Sequence, residues 1–184
     1  MPDDIVIYHN PINGEYTKVL QSAAATCNAY SLFEVSLKPG GGNPMHFHKT
    51  FSEEFFAVKG ILGIQKGKVM LHLKPGENTI AYPLEKHRFF NNTNEEIIFR
   101  VKLSPGQPDF ENFLKTLFGL VQQKRTFTAN QFPKNIFHIA ILYHWGDTHP
   151  VNPLILFFSP LAGFIYRIAV TLGIEKRLIE KYCY

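Results

Sequence analysis

Apolar and polar residues alternate in short segments across residues 30–105, and most of the segments end at a proline, glycine or asparagine. Short alternating segments separated by turns are typical of a β-sandwich or β-barrel. The first 29 residues are expected to add edge strands. The predicted strands are Tyr30–Leu37, Phe55–Lys59, Val69–Lys74, Thr79–Tyr82, His87–Asn91 and Glu96–Leu103.

The pattern changes to helical spacing after Gly106. A first helix is expected with Pro108 in its first turn and apolar residues three or four positions apart. A second helix is expected over Ile136–Trp145. A third would begin at the Ser159-Pro160 pair, with the serine as N-cap, and stop at Gly173. The last helix is expected over Ile174–Tyr182. The sequence therefore predicts a β domain over residues 1–106 and a helical extension over residues 107–184.

The segment Leu154–Ile174 is long enough to span a bilayer. Pro160 lies near its middle, and Arg167 would cost about 2.5–3.5 kcal/mol at the bilayer centre. Three alternatives follow for this segment. It packs on the β domain or on a second subunit, it contacts a membrane surface peripherally, or it spans the membrane. The first is favoured.

Composition fits a folded chain of one domain, or of one domain with an appendage, because 45% of the 184 residues are hydrophobic and 18% are charged. Residues 1–112 hold 11 Lys/Arg against 12 Asp/Glu, whereas residues 113–184 hold 8 against 3. The basic excess would suit an anionic membrane surface or an acidic partner, or it is only the polar face of a helix. There is no dense Lys/Arg run and no nucleic-acid motif, so nucleic acid is not an expected partner.

Two cysteines, Cys27 and Cys183, are too few for a disulfide framework. The first ten residues are acidic and have no long apolar run, unlike a signal peptide. A cytoplasmic location is therefore expected.

The candidate chemistry is concentrated between Gly40 and Gly60, where His46, His48 and Glu53 lie, and His87 follows. Three imidazoles and one carboxylate can hold a divalent transition metal and leave positions open for water, oxygen or substrate.

The spacing of these residues suits strand geometry. His46 and His48 are two residues apart and share a strand face. Glu53 needs a bend or bulge within residues 49–52 to return to that side. Beyond the bend, Glu53, Phe55 and Ala57 would share a face, which makes Glu54 the less suitable ligand.

The segment resembles the first motif of the cupin family, with Gly40, His46, His48, Glu53 and Gly60 at every fixed position. The second cupin motif is matched by Pro83, His87 and Asn91. In this chain the interval from proline to histidine is one residue short, and Glu85 stands where a glycine is expected. The resemblance covers residues 30–105.

The resemblance implies a mainly β fold, a cupin jelly-roll (double-stranded β-helix) barrel over residues 1–106 with a C-terminal α-helical extension. It also implies one divalent metal, which is iron, manganese, nickel, copper or zinc, at His46, His48, Glu53 and His87. The alternative is a barrel whose histidines are hydrogen-bonded without metal. Phe55 and Phe89 are expected to line an apolar substrate pocket, or to be barrel core, and Asn91 to be a nearby polar group that contacts substrate or supports the fold.

The first functional hypothesis is a dioxygenase-like oxidoreductase acting on a small organic substrate, because four protein ligands on an octahedral ion would leave two positions for substrate and oxygen. The absence of an obvious separate general base suits such metal-centred chemistry, and it suits a metal-dependent isomerase or decarboxylase equally. A non-catalytic module that binds a metal or a small ligand, as in a sensor, is the other alternative. Cupins are commonly dimers, so a homodimer is expected. The spacings of His138, His144 and His149 fit no common metal pattern. His72 is not expected to be a ligand, because it lies on the strand face opposite Val69, Leu71 and Leu73.

Overall fold

The computed structural model describes residues 7–11, 13–123, 133–151 and 153–183. The chain divides into two compact units, Met1–Pro108 and Asp109–Tyr184. The first unit is built from strands and the second from helices, and each is described by itself.

Short antiparallel strands build the first unit, as the alternating sequence pattern predicts for residues 30–105. One strand, over residues 62–66, is missing from the sequence-based prediction, because its alternation is limited to two apolar residues, Leu62 and Ile64. In the described part of this unit the strands are β1 Ile7–Asn10, β2 Glu15–Gln21, β3 Ser31–Leu37, β4 His46–Phe47, β5 Ser52–Lys59, β6 Leu62–Lys66, β7 Val69–Leu73, β8 Asn78–Ala81, β9 His87–Phe90 and β10 Ile97–Ser104.

These strands form two antiparallel sheets. The first has the order β1-β2-β3-β10-β5-β8, and the second contains β4-β9-β6-β7. The segment before residue 30 lies at the edge of the first sheet, as expected. Among the described strands, β1 pairs with β2, and β2 in turn pairs with β3. The closure of the two sheets into a jelly-roll barrel stays a prediction.

One face of the first sheet is buried, and the period of two along each strand explains why. Every second residue of β3 is buried, and β5 and β10 follow the same alternation. Full burial of one such phenylalanine or leucine side chain contributes about 1.5–3 kcal/mol. Glu53 lies in phase with these apolar residues and is therefore carried to the buried face. The apolar side chains of this face are Phe33, Val35, Leu37, Phe55, Ala57, Ile97, Phe99, Val101 and Leu103.

Four helices form the second unit together with a short strand, within the residues described. Their bounds are α1 Pro108–Gln122, α2 Ile136–Gly146, β11 His149–Pro150, α3 Pro153–Thr171 and α4 Ile174–Tyr182. The expected positions of α1, α2 and α4 are confirmed.

The predicted start of the third helix is wrong. Ser159-Pro160 is not an N-cap and first turn, because α3 begins at Pro153 and contains Pro160 in its interior. Pro153 suits a helix start equally well, since its missing N–H is not needed there. Pro160 removes one backbone hydrogen bond, but this loss does not end the helix.

The second unit packs around a small apolar core on α2, α3 and α4, made by Ile141, Trp145, Ala169 and Leu178. Glu175 connects the three helices, because its Oε1 accepts hydrogen bonds from Trp145 Nε1 at 3.0 Å and from the Tyr166 hydroxyl at 2.8 Å. Burial and this neighbouring carboxylate raise the pKa of Tyr166.

Within the described residues, no helix is long and apolar enough to cross a membrane. For the segment Leu154–Ile174, considered above as a possible membrane span, the structure describes only part of the side chains. Its packing against the first unit or a second subunit stays a prediction.

The close contact between β6 and β9 provides a test of the fold. Gly63 pairs with Phe90, and a Cβ at Gly63 would overlap the Phe90 ring. We expect Gly63→Ala to lower the free energy of unfolding by about 1–3 kcal/mol, as overpacking does. Urea unfolding followed by far-UV circular dichroism measures the change.

The control is Gly163→Ala in α3, where an added Cβ meets no atom within 4 Å. There the free energy of unfolding should rise by up to about 1 kcal/mol, because alanine is the better helix former. Equal effects of the two substitutions would contradict the packing described for β6 and β9.

Candidate metal centre

Three of the four candidate ligands lie on strands in the two sheets of the first unit, and His48 directly follows β4. His46 begins β4 and pairs directly with His87, which begins β9. Glu53 lies on β5, held between β10 and β8 by its pairing with Leu103 and Ala81. A bend at residues 49–50 takes the chain from one sheet to the other, which is the bend that the spacing of His48 and Glu53 predicts.

The four predicted ligands lie together. One ligand atom from each of His46, His48, Glu53 and His87 can be chosen so that all four atoms are within 4.8 Å of one another. The Nε2 atoms of His46 and His48 are 3.2 Å apart. Glu53 Oε2 lies 3.1 Å from His48 Nε2 and 2.9 Å from His87 Nε2. All four side chains are buried, with at most 6% of any residue exposed.

Backbone carbonyl groups orient two of the rings. His46 Nδ1 donates to the Pro44 carbonyl at 2.8 Å, and His87 Nδ1 donates to the Glu85 carbonyl at 2.8 Å. A proton held on Nδ1 leaves the Nε2 lone pair for a cation, which is the usual support for a metal-ligating histidine. Both Nε2 atoms point into the cluster.

The cluster is electrostatically polarised. Burial, together with the charge of His48, lowers the pKa of His46 to about 4. Burial alone would raise the pKa of the Glu53 carboxyl, but hydrogen bonds and positive charge from His48 and His87 outweigh it and hold that pKa well below its usual range. His46 is therefore neutral and Glu53 ionised at neutral pH, which are the forms that bind metal.

His87 has an oxygen acceptor next to each ring nitrogen. It donates both hydrogen bonds only when both nitrogens carry protons, and the Glu53 carboxylate accordingly raises the pKa of His87 in spite of its burial. A cation bound at Nε2 would replace that proton, so metal uptake would release it.

This donor set fits a divalent transition metal, since three imidazole nitrogens and one carboxylate oxygen converge in a buried space. The neighbouring Glu54 faces the other way. Its carboxylate accepts from Asn78 Nδ2 at 3.4 Å and lies 3.9 Å from Lys102 Nζ. The structure thus brings Glu53 and not Glu54 to the histidines, while the role of the four side chains as ligands stays a prediction.

Aromatic rings border the cluster. The Phe55 ring centroid is 6.0 Å from that of His87 and 6.4 Å from that of Phe89. Phe51, which the sequence interpretation does not single out, stacks on His48 with centroids 4.3 Å apart. The only sequence signal for Phe51 is its place in the bend between two ligands. Contact of Phe55 and Phe89 with substrate stays a prediction.

Asn91 is fully buried and supports the loop after β9. Its amide donates to the Leu37 and Glu95 carbonyls at 2.9 and 2.7 Å, and its Oδ1 accepts from the backbone N–H and the hydroxyl of Thr93. These bonds give Asn91 a structural role. Contact between Asn91 and substrate stays a prediction.

The turn before His87 has its positive φ at Leu84, at +68°, and not at Glu85, the position where the sequence motif expects a glycine. The Leu84 N–H donates to the His48 carbonyl at 2.7 Å, and Glu85 N–H donates to the Tyr82 carbonyl at 3.0 Å. The strained turn therefore connects the loop before His87 to the backbone of a second ligand.

Glu15 is a buried carboxyl group on the inner face of the first sheet that the sequence interpretation misses. It accepts hydrogen bonds from the Thr17 hydroxyl and the Asn13 amide, both at 2.8 Å. Burial raises its pKa, and the negative charge of Glu53 adds to the rise. The strand period of two could have indicated its burial, because Glu15 and Thr17 lie on the same face of β2 and alternate with half-buried residues.

The histidines outside the cluster have other partners. His72 is exposed and lies near the Phe90 ring. His144 stacks on Tyr166, and His149 is hydrogen-bonded to the Tyr143 hydroxyl and to the Asp147 carboxylate. Within the described residues, these side chains join no group of metal-binding type.

A family model described as the cupin domain matches residues 33–104. The chain is also 25% identical over 138 residues to a protein of Hypocrea virens described as the probable oxidoreductase virH. This match covers 72% of the chain and 62% of the fungal protein, so the chain spans less than two thirds of that relative's length.

Solved structures share the fold. KdgF from Halomonas sp. has a TM-score of 0.52 at 15% identity, covering 59% of this chain and 95% of that one. A predicted oxalate decarboxylase from Thermotoga maritima has a TM-score of 0.51 at 18% identity, covering 57% and 96%. An RmlC-like cupin from Shewanella frigidimarina has a TM-score of 0.50 at 17% identity, covering 60% and 92%. At these identities the likeness concerns the fold alone.

Glu15 gives a pH-dependent prediction for the metal-free protein. Its folded pKa is raised above the ordinary value of 4.5, so the folded state holds the proton more tightly than the unfolded chain. Wild-type stability should therefore fall as pH rises from 4.5 through the folded pKa. Glu15→Gln lacks this loss, and its free energy of unfolding should rise relative to the wild type across that window.

Urea unfolding at intervals between about pH 4 and pH 8 measures the difference between the two proteins. Glu95→Gln, at an exposed glutamate, controls for loss of a negative charge. A Glu15→Gln difference that does not change with pH, or that shrinks as pH rises, would contradict the assignment.

Proposed function

The chain belongs to the cupin family, and on that basis we propose that it is a metal-dependent oxidoreductase, dioxygenase-like, that acts on a small organic substrate. The two sheets of the first unit would close as a jelly-roll barrel around one divalent metal. The helical unit would be an extension of this barrel.

The observation that carries the proposal is the buried cluster of three imidazoles and one carboxylate. Structural polar residues rarely collect four ionisable groups of this kind in an apolar interior, because each one must be paired to offset its desolvation. When bound, a transition metal there would supply Lewis-acid and one-electron chemistry. The resemblance to a probable oxidoreductase supports redox chemistry over the alternatives.

The protein's own groups would prepare the site in three ways. The Pro44 and Glu85 carbonyls hold two imidazoles in the binding tautomer. Phe51, Phe55 and Phe89 form apolar walls that exclude bulk water from the reacting atoms. Glu15 would supply a carboxyl able to exchange a proton in the same interior, since its pKa is raised by burial and by the charge of Glu53.

Several properties stay predictions: the small-molecule substrate, the homodimer, the cytoplasmic location and peripheral membrane contact through the helical unit. The native metal is one of iron, manganese, nickel, copper or zinc, because imidazole and carboxylate ligands bind all of these ions.

Metal content tests the proposal first. The protein is purified without chelator or a nickel column, reconstituted, desalted and measured by elemental analysis. We expect about one equivalent in the wild type and in the exposed-histidine control His72→Ala, and far less in His48→Ala, because removing one of four ligands weakens the site. The absence of bound metal from all three proteins would contradict the metal centre.

Oxygen uptake then tests the reaction class. Metal-loaded wild type and His48→Ala are compared on diketones, catechols, thiols and flavonoids, and uptake in the wild type alone is expected. Bound metal with product formation but no oxygen uptake would point instead to an isomerase or decarboxylase. A ligand-induced rise in Tm without turnover would point to a binding module.

A further inference from the structure

A groove of about 340 Å³ lies in the helical unit, between the end of α1, the start of α2 and α4. Leu120 and Leu178 lie beneath it, 1% and 5% exposed, and the half-buried Ile174 and Tyr182 give it apolar surface. The side chains of His138, Arg177 and Lys181 line it together with the Asn135 amide. This volume is near the lower end of the range for small-molecule sites, about 300–1,000 Å³.

The groove is positively charged, and none of its described lining residues is acidic. Among the described carboxylates, none forms an ion pair with Arg177 or Lys181, whereas the neighbouring Lys176 lies 3.8 Å from Glu180. Lys181 Nζ has a long contact of 3.5 Å with Gln123 Oε1. Two cations therefore face one groove without a carboxylate partner among the described residues.

The groups around His138 agree with this description. Burial lowers its pKa, and the positive charge of Lys181 lowers it further. At neutral pH the ring is therefore neutral and can donate or accept one hydrogen bond at each nitrogen. Arg177 and Lys181 supply the permanent charge, while His138 and Asn135 supply neutral hydrogen-bonding groups.

We propose that this groove binds a small organic anion, with a carboxylate or phosphate head between Arg177 and Lys181 and a short apolar body on Ile174 and Tyr182. A guanidinium donates two parallel hydrogen bonds to such a head, and an ammonium adds a second charge. The two apolar side chains favour the body of the ligand through burial of its surface. The proposal does not depend on the metal or on the reaction proposed for the first unit.

Isothermal titration of the full-length protein with octanoate and with octyl phosphate tests the proposal, and the pair distinguishes a carboxylate from a phosphate head. Inorganic phosphate and 1-octanol test each half of the ligand separately. At least one of the two amphipathic anions should bind. Arg177→Gln or Lys181→Gln should weaken that binding about tenfold, the size expected for a lost charge-assisted hydrogen bond.

Lys176→Gln is the matched control, because it removes one positive charge from the same helix at a residue outside the groove lining. It should leave affinity unchanged. The fluorescence of Trp145, the single tryptophan, reports whether each variant keeps the helical core, since the indole lies in that core and donates a hydrogen bond to Glu175 of α4.

Three results would overturn the proposal. They are no binding of either anion, equal binding of 1-octanol, and equal weakening by Lys176→Gln. If neither free anion binds but anionic phosphatidylglycerol vesicles do, the charge is assigned to a membrane surface. None of these results depends on metal content, so failure here is distinguishable from failure of the metal centre.

Discussion

The first unit depends on the pairing of the buried Glu53 carboxylate with the imidazoles of His48 and His87. A carboxylate that is only 5% exposed must be matched by donors or cations, and its Oε2 lies within hydrogen-bonding distance of both His48 and His87. Removing one partner of a buried pair typically costs about 3–5 kcal/mol, because the remaining charge is left uncompensated. The same carboxylate supplies the negative charge that a divalent cation needs. The stability of the metal-free protein and its affinity for metal therefore both depend on the Glu53 carboxylate.

This requirement explains the arrangement around Glu53. The Glu53 carboxylate belongs to the first sheet. The imidazoles of His46 and His87 belong to β4 and β9 of the second sheet, and that of His48 directly follows β4. Pairing the carboxylate with these imidazoles therefore holds the two sheets together at the site. The backbone carbonyls of Pro44 and Glu85 set the ring orientations from outside the cluster. The fold alone does not select a reaction. Chemistry would be decided by the metal, by the phenylalanine walls and by the buried Glu15 carboxyl.

The sequence predicts the elements of this account that depend on spacing. The two-residue interval of His46 and His48, the bend before Glu53 and the inward phase of Phe55 all follow from strand geometry, and the cupin motif adds His87. It does not predict β6, because two apolar residues, Leu62 and Ile64, are too short an alternation to indicate a strand. Glu15 is missed because a lone glutamate near the end of an edge segment usually faces solvent. The start of α3 is misplaced because Pro153 and Pro160 are both suited to a first turn.

The most direct test of the account is the affinity for Mn²⁺ of Glu53→Gln compared with Glu54→Gln, measured by isothermal titration. The two substitutions are adjacent, and each replaces a charged carboxylate with a neutral amide of similar size. They lie, however, on opposite faces of β5. The account predicts that Glu53→Gln loses at least about 100-fold in affinity, more than is typical for groups that only support a ligand. Glu54→Gln should stay close to the wild type. Equal losses, or an undiminished affinity in Glu53→Gln, would contradict it.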